Sequence, residues 1–497
     1  MMSTDSVLPP GTKTTHLPAL WFIFWGEFAE RCSYYGMRAL LPLYLTSTLL
    51  YSDTEMSGFY PYFKAACYLL PVLGGIIADR FLGRYWSLAI FLVPYLIGQF
   101  MLTVPDRNFM LMALVLLACG SGIIKPNISS LLGMTYDQKR PGQTGLRSQA
   151  FNIFYFAINL GALLSMLFLP MVRNHMRDAE LEKNHIVFKS LKVGEKLIID
   201  GKEVTIDKER DGYILDGKED LSTKDSRVLA ANQKGYSAAF QVPAWLMLAS
   251  MIVFIIGKKN YAVETIQRKS LTDEEKKERW KTLSVLAGVF ATIIIFWVGY
   301  EQNDNQWTLF IRDNVDRTLN LGFWQYEFSA DGFQFLNSLF IVILLPIYTL
   351  ILVKVDPTAK KFSRSLKITV GLIVTGMAAG TMAAAAYLVG TEKVSAWWIV
   401  LAYFVLTVGE ILVYGTGLEL SYALAPASMK SFITSCFLLT NTAGNLILAQ
   451  IAWIYTENKI PNWAFYLCTF GLLCVGAAIF WQIGKSLEKE IDAQSTR

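Results

Sequence analysis

The stretch GEFAERCSYYGMR, residues 26–38, sets four charges inside a run that otherwise reads as membrane: PALWFIFW (18–25) precedes it and ALLPLYLTSTLLY (39–51) follows it. Each charge costs roughly 2.5–3.5 kcal/mol at the centre of a membrane helix. At about 3.6 residues per turn, Glu27, Glu30, Arg31, Tyr34 and Arg38 share one helical face, with Tyr35 at its edge. A stripe that costly serves either to pair helices or to move ions, and the rest of the chain bears on which.

Of the 497 residues, 53% are hydrophobic and 17% are charged, against about 25% charged in soluble domains. The mean hydropathy is +0.37. This balance predicts an all-α polytopic membrane protein with the lipid bilayer as its setting. A net charge of +5 is small for the length and gives no ground for a nucleic-acid partner. The six cysteines (Cys32, Cys67, Cys119, Cys436, Cys468, Cys474) lie in apolar runs without metal-like spacing, so they read as small buried hydrophobes and no metal site is expected. The first twenty residues hold Pro9, Pro10 and one lysine but no apolar core, so we expect the first hydrophobic segment to be retained as a helix.

Runs long enough to span, about 20 residues each, fall at 18–48, 55–80, 85–104, 108–134, 148–171, 237–257, 282–311, 331–354, 367–389, 395–424, 429–455 and 461–485, twelve in all. DQKRPGQTGLRSQ (137–149) and KVDPTAKKFSRSLK (354–367) are basic, whereas YSDTEM (51–56) and RDNVDRTLNLGFWQYEFSAD (312–331) are acidic. Because Lys and Arg accumulate on the cytoplasmic side, both termini are expected inside a cell (plasma or inner) membrane. The expected domains are a cytoplasmic tail 1–17, spans one to five over 18–171, an extracytoplasmic insertion 172–236, span six at 237–257, a charged linker 258–281 with an amphipathic helical piece, spans seven to twelve over 282–485, and a cytoplasmic tail 486–497. The insertion carries KLIIDGKEVTI (196–206) and YILDGKEDL (213–221). Short apolar runs around Asp-Gly turns favour a small β-rich module over a disordered tether.

Further ionisable residues stand in other spans: Lys125, Glu301 and Glu410. With the first span they make four carboxylates (Glu27, Glu30, Glu301, Glu410) against three bases (Arg31, Arg38, Lys125). Structural ion pairing would account for some of them, but full pairing leaves one carboxylate over, a natural proton carrier once desolvated. His16, His175 and His185 fall outside the spans, so an imidazole is not expected to carry protons across. No nucleophile–base set or phosphate loop is present in the sequence, and we expect neither an enzyme nor a cofactor.

The motif EFAERCSYYGMR resembles the Glu-x-x-Glu-Arg-x-x-Tyr-Tyr signature of the proton-dependent oligopeptide transporter family, a branch of the major facilitator superfamily. GGIIADRFLGR (74–84) resembles the superfamily's loop between helices two and three. GSGIIKPNISSLLG (120–133), FNIFYFAINLGALLS (151–165), FWVGYEQ (296–302), FLNSLFIVILLP (335–346) and LTVGEILVYGTGLELSYALAP (406–426) are similar to its helices four, five, seven, eight and ten. The resemblance covers all twelve spans and omits the termini and 172–236. It departs at Cys32, where Phe is usual, at Phe437 for a tryptophan, at Tyr414-Gly415 for Ser-Pro, and in the polar EQNDNQW (301–307).

The resemblance implies two six-helix bundles that alternate access to a central cavity, importing di- and tripeptides with protons and without another cofactor, in a chain expected to be a monomer. It implies proton coupling through Glu27, Glu30 and Arg31 acting on Lys125, and through Arg38 with Glu301. Arg38 and Lys125 would hold a peptide carboxylate and Glu410 its ammonium. Asn159 and Asn337 would take backbone amides or the amino end, although helix-to-helix hydrogen bonding explains either asparagine as well. Tyr34, Tyr35, Tyr68 and Phe437 would form aromatic walls. Gly74, Gly75, Asp79 and Arg80 would form a gating motif. Two alternatives stay open: a transporter of this fold that carries nitrate, another organic anion or peptide-like drugs, and a receptor that acts through 172–236.

Overall fold

The computed structural model describes residues 15–264, 273–355, 362–424 and 430–495. Thirteen helices run in chain order: α1 (Pro18–Ser47), α2 (Asp53–Ile77), α3 (Arg84–Met101), α4 (Arg107–Lys139), α5 (Thr144–Glu182), α6 (Ser226–Ile256), α7 (Asp273–Tyr300), α8 (Gln306–Asn314), α9 (Phe335–Val355), α10 (Arg364–Tyr387), α11 (Trp397–Leu424), α12 (Lys430–Thr456) and α13 (Asn462–Ser495). A 3-10 turn, Glu301–Asp304, joins α7 to the short α8, so that the two read as one broken segment and the thirteen helices among the described residues as twelve. Among the described residues nine helices are long and apolar enough to cross a membrane by composition alone. Helix α1, with its four charges, is not one of them.

Helices α1–α6 form one bundle and α7–α13 the other, meeting mainly where α2 packs on α12 and α5 on α9. Small residues let the backbones close up, as the interior of a membrane bundle requires. A Cβ added to Gly74 would stand 2.7 Å from the Ile123 backbone of α4, and one on Gly409 would stand 2.2 Å from Thr375 of α10. Tight approach of this kind fixes which faces point into the seam between bundles, and the charged stripe of α1 is one of them.

The helices outrun the expected spans at one end. Helix α5 continues to Glu182 and α6 starts at Ser226, so the insertion shrinks from 172–236 to the segment between them, and His175 lies in a helix. Five strands fill the gap: β1 (Ile186–Leu191), β2 (Lys196–Ile199), β3 (Lys202–Thr205), β4 (Arg210–Leu215) and β5 (Glu219–Leu221), in spatial order β1-β4-β5-β2-β3. Both Asp-Gly pairs make the expected hairpin turns: Asp200-Gly201 and Asp216-Gly217 have φ of 49° and 77°, and 48° and 72°, a doubly positive pattern, the first pair being the whole loop between Ile199 and Lys202 and the second sharing its loop with Lys218. Leu191, Leu197, Ile206 and Ile214 form the sheet's own small core.

The module hangs from the first bundle yet docks on loops of the second. The Lys393 amide donates to Glu209 at 3.1 Å, and Arg317 stands 2.8 Å from Asp211. Beneath it lies a cleft of about 1060 Å³ lined by Arg173, Arg177, Arg312 and Asp53 among others. Of the linker expected at 258–281, residues 258–264 complete a 3-10 turn (Gly257–Asn260) and form a strap across the first bundle, residues 265–272 lie outside the described part, and α7 begins at Asp273. The first fourteen residues of the expected tail 1–17, and residues 356–361 of the basic loop, also lie outside it. The expected tail 486–497 continues α13 as far as Ser495.

Candidate functional site

The stripe of α1 is buried as a set, with Glu27, Glu30, Arg31, Tyr34 and Arg38 all withdrawn from solvent. Arg31 Nε lies 2.6 Å from Glu27 Oε1 and 3.1 Å from Glu30 Oε2. Ser121 of α4 donates to Glu30 Oε1 at 3.1 Å, while Glu27 Oε2 has no hydrogen-bond partner among the described residues. One guanidinium therefore serves two carboxylates, which its several donors allow.

Lys125 does not join them. Of the expected interaction of Glu27, Glu30 and Arg31 with Lys125, no short ion pair forms among the described residues, although Lys125 stays within electrostatic range of all three: its ammonium stands 3.3 Å from the centre of the Tyr34 ring and 5.3 Å from that of Tyr68. Arg31 already occupies both carboxylates, and the electron-rich faces of two tyrosines take the remaining cation. Among the described residues no carboxylate lies within 4.0 Å of Lys125. On the opposite bundle Glu410 is the counterpart, held by neutral groups: Asn337 Nδ2 donates to it at 2.8 Å and to Thr407 at 3.1 Å. Glu410 likewise has no cation within 4.0 Å among the described residues.

Arg38 departs from the expectation in its nearest partner. Its Nε stands 2.6 Å from Asp304 Oδ2, whereas Glu301 lies 3.8 Å from Nη2. Glu301 instead takes Lys64 of α2 at 2.8 Å and Asn441 of α12 at 2.7 Å. Lys64 also bonds Asp304 at 2.6 Å, and the Tyr60 hydroxyl sits 3.0 Å from Asp304. Sequence reading missed Lys64, Asp304, Tyr60 and Asn441. Lys64 was legible as a lone cation inside the second apolar run, and Asp304 in the polar EQNDNQW. Adding them turns the balance into five carboxylates against four bases, so the surplus of one acid survives.

The remaining candidates divide. Tyr35 packs on Tyr34 at 5.4 Å and lies 5.9 Å from the Arg38 guanidinium. Tyr68 stands near Lys125 as given above. Asn159 donates to the Tyr155 carbonyl of its own helix at 2.9 Å and makes no bond across the seam among the described residues. Phe437 is 1% exposed, packed on Tyr414 at 5.8 Å, so here it braces α11 and does not form an open wall. In the gating motif Gly74 seats α2 on α4, whereas Gly75 faces open space. Asp79 pairs with Arg84 at 2.9 Å, and Arg84 also pairs with Glu264 of the strap. Arg80 is exposed and has no ion pair among the described residues.

The polar bonds joining the two bundles lie, among the described residues, between the level of Thr442 and Ala65 (3.3 Å) and the end that carries the sheet. There Arg173 pairs with Asp331 and Arg312 pairs with Asp53. At the opposite end, Gly133, Arg147, Ser148 and Phe151 line an open recess of about 450 Å³.

Comparison with known proteins now bears on this arrangement. A family model described as the POT family matches residues 85–274 and 261–466. The chain is 29% identical over 466 residues to a di-/tripeptide transporter of Lactococcus lactis subsp. cremoris, covering 87% of this chain and 88% of that one. It is 27% identical over 483 residues to an uncharacterized transporter of Bacillus subtilis, YclF, covering 93% and 92%. It is also 27% identical over 415 residues to human solute carrier family 15 member 1, covering 72% of this chain but only 50% of that protein, so the chain spans about half that relative's length. Among solved structures, a POT family transporter in complex with a thioalcohol conjugated peptide superposes with a TM-score of 0.74 at 20% identity over 94% of this chain and 96% of that one. A peptide transporter POT in complex with sulfate does so with 0.74 at 22% over 95% of each. With a family model covering most of its length, the chain belongs to the POT family, a multi-pass membrane transporter and not an enzyme.

Proposed function

We propose that the chain is a proton-coupled symporter that imports di- and tripeptides by alternating access. One observation carries the substrate class. Lys125 on the first bundle and Glu410 on the second are the two intramembrane charges of the site left without an opposite charge within 4.0 Å among the described residues. A desolvated charge without a partner is costly. An unpaired cation and an unpaired carboxylate on opposite walls therefore suit a zwitterion, whose carboxylate meets Lys125 and whose ammonium meets Glu410. Nitrate or another simple anion would leave Glu410 unmatched. The names of the Lactococcus relative and of the peptide-bound POT structure agree with this reading.

The bundles are joined at the sheet end, so the reading takes this form as inward-facing, with sheet end outside and termini in the cytoplasm. The free Oε2 of Glu27, next to Arg31, supports a proton site on α1. Protonation there or at Glu301 releases a cation for the substrate and loosens one gate, which couples the two through their different affinities for the two states. Purified protein in vesicles, given an inward proton gradient, should accumulate labelled di- and tripeptides, but neither free amino acids nor nitrate. Accumulation of nitrate, or peptide uptake that survives a protonophore, would refute the proposal.

A further inference from the structure

Lys64 is fully buried in α2 and meets two carboxylates at once, Asp304 at 2.6 Å and Glu301 at 2.8 Å. Arg38 meets the same two acids, and side-chain exposure across the four residues is 8% or less. Both cations belong to the first bundle and both carboxylates to the second. The charges therefore cancel only while the bundles are closed at the sheet end.

The groups facing the cluster come from every neighbouring helix. Tyr60 and Tyr68 approach from α2 and Tyr300 from α7. Tyr403 and the carboxylate of Glu410 come from α11, the Tyr403 hydroxyl donating to the Asn303 carbonyl at 3.0 Å and Glu410 lying within electrostatic range of Glu301 and Arg38, and Asn441 comes from α12. None of these supplies a further cation, so a carboxylate that loses Lys64 and Arg38 has no opposite charge left among them.

We propose that Lys64 and Asp304 form a second proton-sensitive lock beside Arg38 and Glu301, so that opening the sheet end loads two protons, one on each carboxylate. The proposal rests on the proton-coupled reading above. Each proton comes from the solution at the sheet end and settles on a carboxylate oxygen, while Lys64 and Arg38 stay charged and no other bond changes. One proton on Glu301 would leave Asp304 ionised on a wall stripped of Arg38 and Lys64, the two cations that favour its charged form while the end is closed. The second proton removes that charge. Asp304 is thereby a positioning residue for the gate, acting through Lys64 and Arg38.

The test reads the gate itself. Nitroxides are placed at Val104 and Tyr387, two exposed residues at the sheet end of opposite bundles (42% and 72% exposed). Non-canonical amino acids carry the labels, so the native cysteines stay in place in the full-length protein in lipid nanodiscs. Distances are followed from about pH 8 to about pH 4. Where both acids load, the open-to-closed ratio of the native sequence should rise roughly 100-fold per pH unit of acidification, falling to roughly tenfold in Asp304→Asn. A native slope of roughly tenfold overturns the second lock and leaves the symporter reading standing. No response to pH overturns both. The native slope decides without any variant. If Asp304→Asn strands Lys64 and misfolds, the neutral pair Lys64→Met with Asp304→Asn takes its place, and an unchanged slope of roughly 100-fold in it would refute the proposal.

Discussion

Arg31 Nε stands 2.6 Å from Glu27 Oε1, one helical turn away, and the other oxygen of that buried carboxylate has no hydrogen-bond partner among the described residues. A lone buried acceptor costs about 1–3 kcal/mol, and a proton on Oε2 would turn it into a hydroxyl donor. Glu27→Gln and Glu30→Gln should therefore reduce gradient-driven uptake to the level of empty vesicles. Counterflow exchange, which needs no net proton movement, should continue. Native-like driven uptake in both variants would remove α1 from the coupling path.

Arg38 sits between Asp304 at 2.6 Å and Glu301 at 3.8 Å. A guanidinium offers a planar fork to such a pair, and to a substrate carboxylate, where an ammonium offers a point charge. Arg38→Lys should keep the fold and the charge yet weaken dipeptide binding by about tenfold, the equivalent of one charge-assisted hydrogen bond. Titration calorimetry in detergent measures this, and unchanged affinity would show that charge alone suffices.

How much of this was open to sequence reading follows from what each residue signals alone. Glu27, Glu30, Arg31 and Arg38 declare themselves because four charges in one apolar run have no cheap explanation. The Asp-Gly hairpins declare themselves because the turn needs positive φ twice. Lys64 is a single cation in a run of tyrosines and prolines, and its importance comes only from two acids that stand 237 and 240 positions further on. Lys125 shows the reverse: its position was legible, but its place over Tyr34 depends on Arg31 having already taken both carboxylates. The end of α5 and the start of α6 were misplaced because the last turns of α5 and the first turns of α6 are polar and leave the apolar span while remaining helical.

The docking of the β module should respond to pH through Glu209, which accepts from the Lys393 amide at 3.1 Å. Burial pushes its carboxyl up, but bonds from the Lys192 ammonium and the Lys393 amide outweigh this and hold it below the usual glutamate range. A folded value below the unfolded one gives stability that is present above the ordinary glutamate range and lost as pH falls through the lowered value. Protection of the Lys393 amide, its exchange taken relative to the intrinsic rate at each pH, should fall in that acid window, and by roughly tenfold at neutral pH in Glu209→Gln. Exchange that ignores both changes would show that Glu209 does not hold the contact.

Deleting residues 183–225, which lie between α5 and α6, with a short glycine bridge in their place, separates transport from any receptor role of the module. Vesicles containing the shortened chain should still accumulate dipeptide. Complete loss of uptake in a protein that remains folded would transfer the central activity to the module.

The central claim is that Lys125 and Glu410 read opposite ends of one substrate. Its most direct test compares the binding of a free dipeptide, its N-acetyl form and its C-terminal amide to the native chain, Lys125→Gln and Glu410→Gln. Glu410→Gln should weaken the free dipeptide by about tenfold or more and leave the N-acetyl form nearly unaffected. Lys125→Gln should do the same for the free dipeptide while sparing the amide. If either variant weakens all three ligands by the same factor, the two residues do not read the two ends, and the zwitterion account fails.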